Sequence, residues 1–322
     1  MNTPLPRRRF LQTSLVLAAW PGVSIAARAA AAPATRPAQT PDGAGLTTYQ
    51  LGPQIWVRFN NQVVTCYRAH RSQKYPYCYP LAGPVTGLSV TAETALPWPH
   101  HRSLFFGCDR VNGGNYWQEG YEQGQILSDG PRLGAATAKS VEILDACEWR
   151  KPGGPVVMRD RRVITVTIES PRLRFLDWRI EWEAVEDVTV AKTNHSLFAA
   201  RAAGDLAPTG GGQLVNAEGE TGEKGTFGKK SAWCDFFGRR PSPAGEVVEG
   251  LAILDHPGNP WAPTPWFTRD YGFLSPTPLN FITEPWTLGA GRSVTLRYRV
   301  VIHAGDPREA GLDGIYRAWA QA

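Results

Sequence analysis

The chain has 322 residues, 42% of them hydrophobic and 20% charged, with a formal net charge of +5 at pH 7. That length suits one large domain or two small ones. Its Lys and Arg residues lie near the N-terminus or are scattered among acids, with no basic block or basic helix, which argues against a nucleic-acid partner. In chain order, the first motif is Arg7-Arg8-Arg9-Phe10-Leu11-Gln12, followed by an apolar run over residues 15–27. Paired arginines ahead of Phe-Leu form the pattern of a twin-arginine export signal. The run contains Pro21 and Gly22 and falls short of the ~20 residues that a bilayer span needs. Ala27-Arg28-Ala29 supplies an A-x-A cleavage site. Residues 1–29 are therefore expected to be a signal peptide, and 30–45 a linker of Ala, Pro, Thr and Gln that cannot bury a core. Residues 46–322 are then one periplasmic or secreted domain, with no membrane attachment once the signal is removed.

Period-two patterns dominate that domain. Val294, Leu296, Tyr298, Val300 and Ile302 alternate with Thr295, Arg297 and Arg299. Ile164, Val166 and Ile168 alternate with Thr165, Thr167 and Glu169, and Trp178, Ile180 and Trp182 with Arg179, Glu181 and Glu183. Alternation puts one set on a core face and the other toward water, which predicts half-buried antiparallel strands. Further strands are predicted over 54–59, 63–67, 141–144 and 247–254. Helical periodicity is confined to residues 307–320, with a short helical turn near 194–203. The 33 Gly and 27 Pro, many in turn-like clusters, and the absence of a propeller-length repeat favour an all-β fold. The predicted class is a large antiparallel β-sandwich with a short C-terminal helix. The five cysteines have no Cys-x-x-Cys spacing, which excludes a zinc ribbon. Cys66 and Cys78 are either a disulfide, if their strands pair, or buried free thiols.

Three segments interrupt the alternation with polar and aromatic residues. The first is Trp98-Pro99-His100-His101-Arg102-Ser103 together with Asn112-Gly113-Gly114-Asn115-Tyr116-Trp117. On a strand, His100 and His101 would face opposite ways, so at most one of them is expected to line a given cleft. The second is Lys229-Lys230-Ser231-Ala232-Trp233-Cys234-Asp235 after a Gly-rich stretch, with no Walker or dinucleotide fingerprint. The third, Asp255-His256-Pro257-Gly258-Asn259-Pro260-Trp261 and then Trp266-Phe267-Thr268-Arg269-Asp270-Tyr271, follows a predicted strand, where a rigid scaffold presents a loop. Each segment also has a plain structural reading as a turn, a mobile hairpin or an ion pair. Tryptophan and tyrosine beside carboxylates, amides and arginines suit a sugar, whose apolar faces stack while its hydroxyls need oriented partners. Trp98, Trp117, Trp233, Trp261 and Trp266 all fall in these segments.

Several of these motifs resemble the PmoA-like family of exported bacterial proteins. They are Tyr77-Cys78-Tyr79-Pro80-Leu81, Pro99-His100-His101-Arg102-Ser103-Leu104, and Val111-Asn112-Gly113 to Trp117. Gly228-Lys229 to Asp235, Asp255-His256-Pro257 to Pro260, Arg269-Asp270-Tyr271-Gly272, and Leu296-Arg297-Tyr298-Arg299-Val300-Val301-Ile302-His303 fit as well. The resemblance runs in order from about residue 50 to 305. The family's name points to a methane mono-oxygenase subunit, an integral membrane protein. This chain has no span after its signal, so that activity is not inferred. The resemblance implies a β-sandwich (a supersandwich) similar to the galactose-mutarotase superfamily, in proteins associated with polysaccharide breakdown. Residues 193–201 depart from the acidic, Gly-rich segment expected there, so a catalytic carboxylate at that place is in doubt.

The expected function is a carbohydrate-active enzyme, a glycoside hydrolase or polysaccharide lyase, acting on an oligosaccharide or polysaccharide fragment. Hydrolysis needs two carboxylates flanking the bond, for which Asp235 and Asp270 are the candidates and Asp255 or Glu119 substitutes. Elimination needs a base and a cation facing a uronate, roles open to His101, Tyr271, Arg102 and Arg269. A mutarotase-like reaction would use a histidine and a carboxylate. The catalytic set is His101, Asp235, His256, Asp270 and Tyr271. His100, Arg102, Asn115, Trp117, Lys229, Trp233, Asn259, Trp266 and Arg269 are the substrate contacts. His101, Arg102, Asp235, His256, Arg269 and Tyr271 are expected to converge in one pocket. The alternative is a non-catalytic glycan-binding protein on the same scaffold. A metal centre of His100 or His101 with His256 and an aspartate lacks diagnostic spacing, so no metal or other cofactor is expected.

Overall fold

The strands that alternation predicts pair into two antiparallel sheets packed face to face. A computed structural model describes residues 43–118 and 120–321; the expected signal peptide and cleavage site, the expected linker up to residue 42, and Glu119 lie outside the described residues. The first sheet runs in the order Leu46–Leu51, Gln54–Phe59, Gln62–Arg68, Tyr77–Leu81, Leu104–Val111, Ser196–Arg201, Phe273–Pro276 and Trp266–Arg269. The second runs Gln213–Asn216, Trp233–Ser242, Gly245–Asp255, Ser293–Ala304, Leu173–Ala184, Val156–Ser170, Ser140–Arg150 and Gln125–Ser128. This is the large antiparallel β-sandwich expected. No helix among the described residues is long and apolar enough to cross a membrane.

Trp178, Ile180 and Trp182 are buried, as are Leu296, Tyr298, Val300 and Ile302. The two strands pair in a register that sets Trp178 opposite Tyr298 and Ile180 opposite Leu296. Between the sheets, Phe106 meets Trp149 and Trp182 edge-on at 5.7 and 5.8 Å. Phe198 stacks on Tyr298 at 4.6 Å and meets Trp178 at 5.2 Å. Each such pair adds roughly 0.5–1.5 kcal/mol to its area burial, so much of the tryptophan serves the core. A buried ion pair lies within this aromatic layer: Asp160 accepts from Arg162 Nε at 2.6 Å and from Trp149 Nε1 at 2.6 Å.

The outer face of the second sheet is covered by the C-terminal segment. Residues 307–320, expected as one helix, are two, Pro307–Ala310 and Leu312–Trp319, divided by Gly311 in a left-handed conformation (φ 73°). Asp306 caps the first through the amides of Arg308 and Glu309. Phe175, Trp233, Leu254, Val301 and Leu312 form the apolar layer beneath, so Val301 is buried as well as the core-facing Val300 and Ile302. The helical turn expected near 194–203 is instead the strand Ser196–Arg201. Apart from Arg201 its residues are small or apolar, and every one is buried, because it lies in the middle of the first sheet between Leu104–Val111 and Phe273–Pro276. Tertiary pairing overrides its local preference. All five cysteines are free and buried. The strands of Cys66 and Cys78 do pair, but the register places Tyr67, not Cys66, opposite Cys78.

Candidate functional site

In the strand Leu104–Val111, Phe106 points into the sandwich, so its neighbours Phe105 and Gly107 face the other way. Phe105 stacks on Tyr75 at 4.5 Å and meets Trp117 at 4.6 Å. Trp117 in turn lies against His195 at 5.9 Å and Phe273 at 6.2 Å. A Cβ at Gly107 would lie 3.0 Å from the Tyr116 carbonyl and 3.5 Å from the Trp117 ring. The absence of a side chain there therefore lets the indole settle on the sheet. Asn115 holds the preceding turn, its Oδ1 accepting from the amides of Trp117 and Gln118 at 3.0 and 2.9 Å.

On this aromatic floor stand three histidines. His100 and His101 belong to a turn entering the strand, fixed where the His101 amide donates to the Trp98 carbonyl at 3.0 Å and Tyr75 donates to the His100 carbonyl. Because they sit in a turn and not on a strand, they do not face opposite ways. Their rings meet edge-on, with centroids 4.5 Å apart. His195, at the start of the neighbouring strand, completes the group at 5.4 Å from His100. One ligand-type nitrogen from each of the three lies within 4.8 Å of the others. Asp109 Oδ2 stands 3.4 Å from His195 Nδ1, a consequence of the register that pairs Ser196 with Cys108.

His101 also stacks on Phe273 at 4.2 Å and lies parallel to Tyr271 within 13°, at 6.2 Å. Arg201 ends the strand that His195 immediately precedes, and its guanidinium lies 4.5 Å from the Tyr271 ring centre. Arg201 is only 6% exposed, and its Nε and Nη1 are buried without a hydrogen-bond partner. Among the described residues it has no carboxylate partner. Burial pulls its pKa down, while Tyr271 pushes it back up. Burial lowers His101 to about 2, helped by His100, Arg201 and His195, so its ring is neutral. Tyr271 is raised by burial, in part offset by Arg201 and Arg269. Trp98 covers the rim 42% exposed, 6.1 Å from His100 and 6.5 Å from His101. Ser103, Arg110 and Leu197 adopt left-handed backbone (φ 60°, 55° and 67°), beside His101, Asp109 and His195. Strain of this kind, about 1–3 kcal/mol each, concentrates at functional sites.

The remaining predicted residues lie elsewhere or are engaged. Arg102 donates to Gln73 beside the site. Arg269 pairs with Glu223 at 2.9 Å and lies over Phe227 and Phe267, and Asp270 Oδ1 accepts from the Glu223 amide at 2.7 Å. Asp235, in the second sheet, is fully buried against His303 at 3.1 Å. Asp255 is buried, with Oδ1 accepting from Asn259 Nδ2 at 2.7 Å, and Asn259 also accepts from the Arg297 amide. His256 packs on Trp319 of the C-terminal helix at 4.9 Å. Trp266 is fully buried, its indole donating to the Ser231 carbonyl, and Trp233 donates to Asp313. Lys229 is exposed and Trp261 half-buried at the core. The expected single pocket therefore keeps His101 and Tyr271 with His100 and Trp117. It loses Asp235 and His256, which are held by partners on other parts of the sandwich, while Arg269, two residues from Tyr271, is turned to Glu223 and Phe267. A groove of about 710 Å³ beside the C-terminal helices, lined by Trp233, Phe237, Arg308 and Arg317, includes none of the histidines.

Sequence reasoning missed His195, Arg201 and Asp109. The first two sit in the segment that departs from the resemblance, where the missing acidic residues drew notice and the histidine and arginine did not. Residues 54–317 match the model of a family described as of unknown function, DUF6807. The chain belongs to that family. The match takes in both sheets of this DUF6807 protein except the strand Leu46–Leu51, together with the whole histidine cluster, Arg201 and Tyr271, and it carries no activity with it. No curated protein sequence matches the chain. Among solved structures it is similar to a galactose mutarotase related enzyme from Lactobacillus acidophilus, at 8% identity and a TM-score of 0.30 over 80% of this chain and 97% of that one. It is also similar to an aldose epimerase homologue from C. elegans, at 10% identity and a TM-score of 0.31 over 81% and 96%. Likenesses at those scores assign neither a site nor a reaction to the DUF6807 chain.

Proposed function

We propose that this protein is an exported carbohydrate-active enzyme of the lyase type, cleaving an acidic oligosaccharide at the site around His101, Tyr271 and Arg201. The observation that carries the reading is Arg201. A buried guanidinium with two unpartnered nitrogens is unfavourable unless an anion completes it, and a uronate carboxylate has the right charge and planar fork geometry. The role that sequence reasoning gave to Arg102 or Arg269 passes to Arg201, since those two are already engaged.

Elimination needs a cation on the carboxylate, an acceptor for the proton of the adjacent carbon and a donor to the departing oxygen. Arg201 meets the first need. Tyr271, beside the guanidinium and able to accept and return a proton through its hydroxyl, takes the two proton roles, and His101 lies parallel to it at 6.2 Å. Trp98 offers an exposed indole face for the ring itself. Hydrolysis fits less well. It needs two carboxylates about the bond, and those near the site are engaged: Asp109 faces His195, and Glu223 and Asp270 are tied to Arg269 and to each other's amides.

The test is product release by the mature protein from matched acidic and neutral oligosaccharides. Absorbance from an unsaturated uronide, lost in Tyr271→Phe and in Arg201→Met, is the expected result. New reducing ends without that absorbance would replace elimination with hydrolysis. Binding without turnover would make the protein a glycan-binding module on the same scaffold.

A further inference from the structure

We infer that His100, His101 and His195 form a binding site for one divalent transition metal of the zinc type, with Asp109 as the carboxylate that orients His195. The inference is independent of the sugar reading and needs no substrate. Three imidazoles from two segments present nitrogens within 4.8 Å of one another. Zinc–nitrogen bonds of about 2.0–2.1 Å in tetrahedral geometry place ligand nitrogens roughly 3.3–3.5 Å apart, so closure takes side-chain rotations of the order of an ångström. Three imidazole nitrogen donors with no thiolate suit zinc, cobalt, nickel or copper, and not magnesium or calcium.

Two observations separate this cluster from ordinary packing of histidines. First, His101 is 3% exposed and its Nδ1 is buried with no hydrogen-bond partner, whereas buried polar atoms in a packed core are nearly always partnered. Second, Asp109 stands behind His195, with Oδ2 3.4 Å from Nδ1. That is the arrangement in which a carboxylate fixes the ring and turns its other nitrogen toward a metal. The Asp109 amide also donates to the His195 carbonyl at 2.9 Å, so backbone and side chain are held together. Trp117 and Phe273 wall the cluster from beneath, and three protein ligands leave a fourth position open, as in sites where zinc meets a substrate or water.

The sequence concealed this because the third ligand is 94 residues beyond His101 and not in the segment with His256. The test uses the full chain without a histidine tag, stripped with chelator and titrated with Zn(II), and separately with Co(II), whose visible absorption reports coordination number. One equivalent is expected to bind, with a four-coordinate Co(II) spectrum. His195→Ala and His101→Ala should each abolish saturable binding. Asp109→Asn, which keeps the side chain's size, should weaken it by about 10–100-fold with an unchanged melting transition in the metal-free state. His70→Ala, at an exposed histidine outside the cluster, should leave binding unchanged. Absence of saturable binding, or an affinity that survives both His195→Ala and Asp109→Asn, would overturn the inference.

Discussion

Replacing Arg201 by methionine should make the unliganded protein more stable. Nε and Nη1 of Arg201 are buried and unpartnered, and each unsatisfied buried donor costs about 1–3 kcal/mol. Against that stands the contact of the guanidinium with Tyr271 at 4.5 Å, which contributes about 1–2 kcal/mol when desolvated. Methionine keeps the unbranched stem and removes the charge, so the two donors, about 2–6 kcal/mol together, outweigh the lost contact and the expected gain is a few kcal/mol. Urea unfolding at neutral pH without ligand measures it, as a higher midpoint with an unchanged slope. A loss of stability on this substitution would mean that the fold itself relies on the guanidinium, and the argument for an absent anionic partner would fail.

Other perturbations probe the scaffold. Asp160→Ala strands Arg162, whose side chain is fully buried, and should cost about 3–5 kcal/mol in chemical unfolding; a loss under about 1 kcal/mol would contradict the pairing. Gly250→Ala puts a Cβ 2.5 Å from the His303 ring and 2.9 Å from the Phe236 carbonyl. It should displace His303 from Asp235 and destabilise by about 1–3 kcal/mol, whereas a neutral outcome would show that the imidazole can move freely. Burial raises Asp255 from 3.8 to about 6, against the lowering effect of bonds from Thr264 and Asn259. The folded state therefore retains a proton that the unfolded state has released, and the resulting stability is present below pH 4 and lost as pH rises through 6. The loss is about 3 kcal/mol. Denaturant midpoints followed from pH 4 to 7 should show this fall in the wild type and not in Asp255→Asn, and parallel curves would refute it.

The fold was legible because both sheets leave one face against the core. Trp178, Ile180 and Trp182 could be read from their period alone, and the partner strand with Leu296, Tyr298 and Val300 showed the same signal. The strand Ser196–Arg201 was not legible, since it is covered on both faces and has no alternation to read. The site was legible only in part for the same reason. His100 and His101 drew attention as a pair, but a turn, not a strand, sets their direction, and turns erase the alternation on which the prediction relied. His195 and Arg201 are brought to them by the pairing of strands separated by some 90 residues, which no local pattern encodes. Conversely, Asp255 and Asn259 looked functional because they are polar and clustered, and the hydrogen bonds that hold them become visible only in three dimensions, as does the contact of Asp235 with His303.

The most direct test of the proposed site is a calorimetric titration with a uronate-containing oligosaccharide and its carboxyl-reduced, neutral counterpart. If Arg201 meets the carboxylate, the acidic ligand binds the wild type at least about thirtyfold more tightly, the lower end of what a buried charge pair contributes, and the preference disappears in Arg201→Met. Equal affinity for the two ligands, or a preference that survives the substitution, would contradict the account.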